Sequence, residues 1–238
     1  MVIGILQPGY LPWLGFFEQM YRSDVFVMYD DVQYDKHGWR NRNRIKTANG
    51  MQWLTVPVRF DFYDRQLISE VLVDNNGNWR KKHAGSLRQN YGKAPCFRQF
   101  WPIFEETYDR EWELLVDLDL FLIERLAAAL GIGERPLIRS SSLGLSGDRI
   151  DRLTKICRHF GADVFYEGAS GRNYIDEKQF ADLGIKVKYQ DYHHPVYRQI
   201  YGEFIPFLSV VDLLFNHGER SLEIILQGNP PNEECVNG

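Results

Sequence analysis

Short apolar runs that alternate with helical segments constrain the fold of this chain more than any other feature of its sequence. The apolar runs occur at residues 2–6, 25–29, 137–139, 163–166 and 185–189. Continuous apolar runs of this length are typical of parallel strands that helices cover on both faces. The pattern therefore predicts an α/β fold whose parallel sheet is built from both ends of the chain.

A helix-rich middle separates the two strand-bearing ends. It begins near Trp79, and Gly131 is placed where a glycine ends a long apolar helix predicted over residues 112–130. A chain of 238 residues is long enough to bury a full core. We therefore expect one α/β domain over residues 1–227 with a helical insertion around residues 79–132, and a disordered tail at residues 228–238.

Composition excludes several classes of protein. Hydrophobic residues make up 44% of the chain and charged residues 25%, which is ordinary for a globular protein. The sequence has no apolar run of membrane-spanning length and no signal peptide, so we expect a cytoplasmic protein without a membrane span. A net charge of −4 argues against general nucleic-acid binding. The three cysteines have no metal-ligand spacing, and no metal site is predicted.

The first apolar strand breaks at Gln7-Pro8-Gly9-Tyr10, and a helix is predicted to begin at residue 10 or 11. Loops at residues 7–10, 140–147 and 168–174 are each predicted to follow a strand and precede a helix. Such loops meet at one edge of a parallel sheet, where helix N-termini bind anions. The loop residues Ser141 and Ser142 and the arginines Arg149 and Arg172 are therefore candidates for phosphate binding, the alternative being plain strand–helix connections.

The segment from Lys36 to Lys46 alternates with a period of two, as a strand does. Its even positions carry Lys or Arg, apart from Gly38, and its odd positions from residue 39 are Trp39, Asn41, Asn43 and Ile45. An amide on an inward face is costly unless it forms hydrogen bonds. Asn41 and Asn43 are thus either structural bracing or ligand contacts.

The stretch from Asp191 to Gln199 is denser in reactive side chains than any other part of the chain. His194 is the candidate general base, because imidazole moves protons near neutral pH. Asp30 and Asp31, which follow a buried strand, are candidate catalytic carboxylates that hold sugar hydroxyls or orient the base. The structural alternatives are a hydrogen-bonded histidine and aspartates that form caps or ion pairs.

A predicted apolar helix near the C-terminus carries Asp212 and Asn216 on one side, four residues apart. Polar groups on a buried helix need partners. Either they join a core network with the asparagine-bearing strand, or they form the floor of a ligand pocket.

Taken together, these motifs resemble the WbqC-like protein family. The matching stretches are Gln7-Pro8 with Tyr10-Leu11-Pro12-Trp13 and Gly15-Phe16-Phe17, Tyr29 to Tyr34, Trp39 with Asn41-Arg42-Asn43, Trp53 to Val58, His194-Pro195 with Tyr197 and Gln199, and Leu208-Ser209 with Asp212 to Asn216. The resemblance implies a glycine or acyl transferase that acts on amino sugars in the synthesis of O-antigen and other surface polysaccharides. His37 and His193 lie outside the family pattern.

A second resemblance concerns nucleotidyltransferases and class I aminoacyl-tRNA synthetases. Pro8-Gly9-Tyr10-Leu11-Pro12 with Gly15 looks like a degenerate HxGH signature that lacks both histidines, and Leu145 to Ile150 looks like the second motif of those enzymes. This similarity implies a Rossmann-like nucleotide site. Two alternatives to acyl transfer follow, a nucleotidyltransferase or amino-acid adenylating enzyme and a non-catalytic protein that binds sugar nucleotides.

The leading hypothesis is a transferase that adds an acyl or aminoacyl group, possibly glycyl, to a nucleotide-linked amino sugar. His194 would be the base, assisted by Asp30 or Asp31, and Ser141, Ser142 and Arg172 would bind the diphosphate. The expected partner is a small molecule, a nucleotide sugar, and the sequence identifies no cofactor or oligomeric state. The predicted substrate contacts are Gln7, Tyr10, Gln33, Trp39, Asn41, Asn43, Tyr197, Gln199, Asp212 and Asn216.

Overall fold

A computed structural model describes residues 1–59, 65–133 and 136–230. The strands in these ranges are β1 (Val2–Leu6), β2 (Val25–Met28), β3 (Arg42–Thr47), β4 (Gly50–Thr55), β5 (Val58–Arg59), β6 (Leu72–Val73), β7 (Ile138–Arg139), β8 (Val164–Glu167) and β9 (Lys186–Tyr189). The helices are α1 (Leu14–Arg22), α2 (Trp79–Tyr91), α3 (Phe97–Asp109), α4 (Leu115–Ala129), α5 (Arg149–His159), α6 (Glu177–Ala181), α7 (Val210–His217) and α8 (Ser221–Gln227). The predicted tail lies outside the described residues from position 231 onward.

Five parallel strands form the central sheet in the order β7-β2-β1-β8-β9. The predicted Rossmann-like α/β fold with a parallel sheet is therefore confirmed. The chain starts at the middle strand β1, extends to one side through β2 and β7, and then returns to the other side through β8 and β9. The direction of winding thus reverses between β1 and β8, which is where open α/β sheets form a ligand crevice.

Helices cover the sheet on both faces because alternate side chains of its strands enter two different cores. Phe26 and Met28 of β2 enter a larger core with α1, α2, α3, α4, α7 and α8. Val27 of β2, with Ile3 and Ile5 of β1, enters a smaller core with α5 and α6. This double burial explains why the strands are continuous apolar runs in the sequence.

Two predicted elements differ from the structure near the start of the chain. Helix α1 begins at Leu14 instead of residue 10 or 11, because Leu11 has a φ of 47° and the chain turns there before it enters the helix. The strand predicted over residues 36–46 begins only at Arg42 and ends at Thr47, and it pairs with β4. The inward positions of Asn41, Asn43 and Ile45 agree with the predicted alternation, but Lys46 is buried as well.

The segment of residues 39–44, here called the strap, holds the β1–α1 loop (residues 7–13). The backbone N–H of Tyr10 donates to the Arg40 carbonyl at 3.0 Å, and the Arg40 guanidinium donates to the Pro8 carbonyl at 3.2 Å. The Asn43 side chain donates to the Leu11 carbonyl at 2.7 Å. A Cβ atom on Gly9 would lie 2.8 Å from the Trp39 carbonyl oxygen, so this close approach requires glycine. The break in the first apolar run is therefore a loop shaped by the strap.

We predict that Asn43→Ala destabilises the protein by about 1–3 kcal/mol, because it leaves the buried Leu11 carbonyl without its donor. Urea unfolding measures the change. Asn49→Ala is the matched control, since Asn49 is exposed in the β3–β4 turn, and it should change the free energy of unfolding by less than about 0.5 kcal/mol. Equal effects of the two substitutions would contradict the clamping role of Asn43.

Candidate functional site

A cavity of about 520 Å³ opens at the carboxyl ends of β1, β2 and β8. It lies where the winding of the sheet reverses, and α1 on one side and α5 on the other contribute to its walls. Its lining residues are Ile5, Leu6, Gln7, Gly9, Pro12, Trp13, Phe16, Tyr29, Trp39, Arg40, Asn43, Arg44, Arg149, Leu153, Glu167, Ser170, Tyr174 and Phe207. The lining combines aromatic rings with three arginines and one carboxyl group.

The carboxyl group in the cavity belongs to Glu167, the last residue of β8. Its side chain is almost fully buried, and its Oε1 accepts hydrogen bonds from the Gly168 N–H at 3.0 Å and the Tyr174 hydroxyl at 3.2 Å. Burial raises the pKa of Glu167 to about 7, although those two hydrogen bonds and the charge of Arg149 oppose the rise. Among the described residues, no donor lies within hydrogen-bond distance of Oε2. Glu167 therefore has the pKa and the open oxygen that a general base needs.

The cavity is cationic although the whole chain carries a net charge of −4. Arg40, Arg44 and Arg149 line it, and none of the three forms a salt bridge within the described parts of the chain. The Arg149 guanidinium carbon lies 3.6 Å from the centre of the Tyr174 ring, and Arg44 donates to the Phe207 carbonyl at 2.8 Å. The charges of Asp119 and Asp35 act on Arg40 and that of Glu167 acts on Arg149, but without a salt bridge these arginines still favour an anionic ligand.

Of the predicted substrate contacts, Gln7, Trp39 and Asn43 line the cavity. Tyr10 points away from it and is fully buried, where its hydroxyl is hydrogen-bonded to His83 Nδ1 at 2.9 Å and to the Tyr108 hydroxyl. Burial lowers the pKa of His83 to about 4, so this imidazole is neutral. Tyr10 thus anchors the β1–α1 loop to α2 and α3.

Asn41 and Gln33 also lie away from the cavity lining. Asn41 donates to the Val56 carbonyl at 2.8 Å, which is the bracing role left open for it. Gln33 is exposed and forms an isolated bridge with Leu67.

The predicted catalytic aspartates lie in a different network, which fastens β2 to the segment after β7. Asp30 is fully buried and accepts hydrogen bonds from Arg139 Nε at 2.6 Å and from both the N–H and the hydroxyl of Ser141. Asp31 accepts from Ser140 and pairs with Arg152 at 3.4 Å. None of these side chains lines the cavity, so the geometry gives Asp30 and Asp31 structural partners.

Two of the residues predicted to bind phosphate, Ser142 and Arg172, also have partners within the protein. The Ser142 hydroxyl donates to the Arg139 carbonyl at 2.7 Å. The Arg172 guanidinium stacks on the Tyr189 ring at 4.4 Å, beside β9 at the edge of the sheet. Of the four candidates for phosphate binding, Arg149 at the start of α5 is the one that lines the cavity, together with Ser170 and Tyr174 of the loop at residues 168–174.

His194 packs in an aromatic cluster next to the cavity. Its ring centre lies 5.1 Å from that of Phe207, which lines the cavity, and its Nδ1 donates to the Pro195 carbonyl at 2.9 Å. Burial lowers the pKa of His194, and this hydrogen bond only partly opposes the shift. His194 itself does not line the cavity, and its Nε2 is buried without a partner among the described residues.

The remaining predicted contacts form a second buried network. The Tyr91 hydroxyl donates to Asp212 at 2.8 Å and accepts from the N–H of Lys46 at 2.8 Å, which links α7 to β3. Lys46 Nζ donates to Gln199 at 2.8 Å, and Asn216 donates to the Asp212 carbonyl at 2.7 Å. Tyr197 is buried next to this network. Asp212 thus joins a core network with the asparagine-bearing strand, whereas the Asn216 side chain donates to the backbone of its own helix.

Sequence reasoning did not select Glu167, Arg40 or Arg44 as site residues. Glu167 carried a usable signal, because it is a carboxylate that directly ends a buried strand, as Asp30 does. Arg40 and Arg44 stand on the cationic face of the predicted strand and Asn43 on its other face, but all three line the cavity.

We also searched the described residues for metal-binding clusters and for membrane-spanning helices. No cluster of three or more His, Cys, Asp or Glu side chains suited to a metal ion occurs within residues 1–59, 65–133 and 136–230. In the same ranges, every helix is too short or too polar to span a bilayer.

Comparison with known proteins places most of the chain in one family. The model of the WbqC-like protein family matches residues 7–224. The chain is also 39% identical over 224 residues to the uncharacterized protein Rv1507c of Mycobacterium tuberculosis, a match that covers 92% of this chain and 95% of that protein. No solved structure matches the chain significantly. The residues that line the cavity lie within the matched range, except Ile5 and Leu6 at the end of β1.

We predict that Gly171→Ala disrupts the cavity, because a Cβ atom there would lie 2.3 Å from Glu167 Cγ. The carboxyl group would have to move, and the expected loss of stability is about 1–3 kcal/mol by thermal or urea unfolding. Gly168→Ala is the matched control, since its Cβ would meet nothing within 4 Å. A Gly171→Ala protein as stable as the Gly168→Ala protein would contradict the packing described for Glu167.

Proposed function

The chain belongs to the WbqC-like protein family, and from this premise we propose that it is a transferase that adds an acyl or aminoacyl group to a nucleotide-linked amino sugar. The reaction would take place in the cytoplasm and supply surface polysaccharide synthesis, such as that of O-antigen. The observation that carries the proposal is Glu167, a buried carboxyl group with a pKa of about 7 in a cavity lined by three arginines.

The size and lining of the cavity support a nucleotide sugar as the ligand. A volume of about 520 Å³ lies within the range of roughly 300–1,000 Å³ that small-molecule sites occupy. Aromatic rings such as Trp13 and Trp39 suit a flat base or the apolar face of a sugar. Arg40, Arg44 and Arg149 suit a ligand that carries negative charge, such as a diphosphate-linked sugar.

Glu167 has the properties that transfer to an amine requires. A sugar ammonium group first releases one proton to solvent, and the ionised Glu167 then accepts a second proton from the nitrogen as this nitrogen attacks the carbonyl carbon. The new C–N bond then forms while the bond between the acyl carbon and the leaving group of an activated ester or thioester breaks. The leaving group takes up the proton that Glu167 holds, so the carboxylate is regenerated.

Other cavity residues would assist this reaction. The tetrahedral intermediate carries a negative charge on the former carbonyl oxygen, and nearby donors stabilise it. Arg149 and the Gln7 amide line the same cavity as Glu167 and are the candidate donors. In this assignment Glu167 takes the role of base that the sequence suggested for His194, and His194 packs against Phe207 to support the cavity wall.

We predict that Glu167→Gln lowers the transfer rate by about 10²–10⁴-fold, because glutamine cannot accept the proton. Activity of the wild-type protein should rise with pH through about 7, since the base acts only when ionised. Mass spectrometry of UDP-linked amino sugars incubated with acyl thioesters and aminoacyl donors detects the product. Glu223→Gln, on the exposed face of α8, is the matched control and should leave the rate unchanged.

Three outcomes would overturn this assignment. A folded His194→Ala protein without activity, beside an active Glu167→Gln protein, would return the role of base to His194. Tight binding of the nucleotide sugar with no turnover by any donor would favour the non-catalytic binding protein. Exchange of pyrophosphate into ATP would favour the adenylating enzyme.

A further inference from the structure

Two exposed tryptophans lie together at the mouth of the cavity. Trp39 of the strap is 44% exposed and Trp53 of β4 is 38% exposed, and their ring centres are 5.2 Å apart at an interplanar angle of 37°. Tryptophan is usually well buried, so a pair of exposed rings in contact indicates a binding surface more than a core feature.

Two arginines cover this pair of rings. The Arg44 guanidinium carbon lies 5.1 Å from the centre of the Trp39 ring and 5.6 Å from that of Trp53, and Arg42 lies 4.8 Å from Trp53. Arg42 donates to the carbonyls of His37 and Gly38, and in the described part of the chain neither arginine pairs with a carboxylate. We call Trp39, Trp53, Arg42 and Arg44 the platform.

The platform continues the cavity outward. Trp39 and Arg44 line the cavity, whereas Trp53 and Arg42 lie beyond it on the same hairpin, where Arg44 is the direct partner of Trp53 in the β3–β4 register. A ligand too long for the cavity would therefore extend from it over the platform.

We propose that the platform binds the nucleoside diphosphate part of the substrate. The base stacks on the tryptophan rings, the diphosphate bonds to Arg42 and Arg44, and the sugar enters the cavity towards Glu167. This inference rests on the proposed function, and it deepens that function by assigning the orientation of the substrate and two residues, Trp53 and Arg42, outside the cavity.

The chemistry of the platform favours a nucleotide over an uncharged sugar. Base stacking on aromatic side chains tolerates any base, because every base has a π face. Arginine adds bidentate bonds to phosphate oxygens, which a neutral carbohydrate does not offer. A surface for neutral sugars would need the rings but would gain less from two guanidinium groups whose charge no carboxylate among the described residues neutralises.

Calorimetric titration of the full chain with UDP, CDP, GDP, ADP, dTDP and inorganic pyrophosphate tests the proposal. Trp53→Ala should weaken binding of the preferred nucleoside diphosphate by about tenfold or more and leave pyrophosphate binding nearly unchanged. Arg42→Gln should weaken the binding of both ligands.

The matched controls come from a second arginine–tryptophan pair on the surface. Arg88 lies 4.5 Å from the ring centre of Trp101, where α2 packs on α3, away from the cavity. Trp101→Ala and Arg88→Gln should leave all the affinities unchanged. Trp53→Phe is a second variant for the case in which Trp53→Ala does not fold. Phenylalanine keeps an aromatic ring for stacking, so Trp53→Phe should lose less nucleotide affinity than Trp53→Ala.

The outcomes separate this inference from the proposed function. Unchanged nucleotide affinity in folded Trp53→Ala and Arg42→Gln proteins would overturn the platform, while loss of transfer in Glu167→Gln would still support the transferase. A wild-type protein that binds none of the nucleotides would overturn both. If the platform variants bound uncharged oligosaccharides more weakly but kept their affinity for nucleotides, the platform would not be a nucleotide site.

Discussion

The hydrogen bonds between the strap and the β1–α1 loop are the constraint on which the rest of the site depends. The side chains of Arg40 and Asn43 donate hydrogen bonds to the carbonyls of Pro8 and Leu11, and the backbone N–H of Tyr10 donates to the Arg40 carbonyl. Tyr10 is at the same time tied to His83 and Tyr108 in the helical layer. Because the loop is held from both sides, the residues that it and the strap contribute to the cavity have fixed positions.

The cavity uses a general property of wound parallel sheets. Neighbouring strands whose connections run to opposite faces leave a crevice at their carboxyl ends, and here that crevice lies between β1 and β8. Glu167 ends β8 inside it. Burial alone would push the pKa of this carboxyl higher still, and the hydrogen bonds from Gly168 and Tyr174 with the charge of Arg149 hold it at about 7. The carboxyl group can therefore gain and lose a proton under physiological conditions.

Much of the architecture could be predicted from the sequence, because double burial of parallel strands leaves a direct signature in apolar runs. The period of two over residues 39–45 placed Asn41, Asn43 and Ile45 inward correctly, but it was wrong for Trp39, which is 44% exposed. The start of α1 was wrong, since a backbone turn at Leu11 with positive φ has no sequence signal in a leucine.

The choice of site residues was harder to predict, because it depends on partners that are distant in the sequence. Asp30 and Glu167 both lie at the carboxyl end of a buried strand, but Asp30 is bonded to Ser140 and Ser141, about 110 positions away, and Glu167 keeps one oxygen free among the described residues. His194 stands in the most reactive stretch of the sequence, yet its neighbours are Phe207, Tyr197 and Phe204. Local composition does not distinguish a carboxylate that forms structural hydrogen bonds from one that faces a ligand.

The protonation of Glu167 in the ligand-free protein tests this account most directly. Carbon-13 NMR of side-chain carboxyl groups, assigned by the signal that disappears in Glu167→Gln, follows that single group through a pH titration. The account predicts a midpoint near pH 7, well above the ordinary value of 4.5 for glutamate. A midpoint at the ordinary value would contradict it, because the carboxyl group would then be solvated and too weak a base for the chemistry assigned to the cavity.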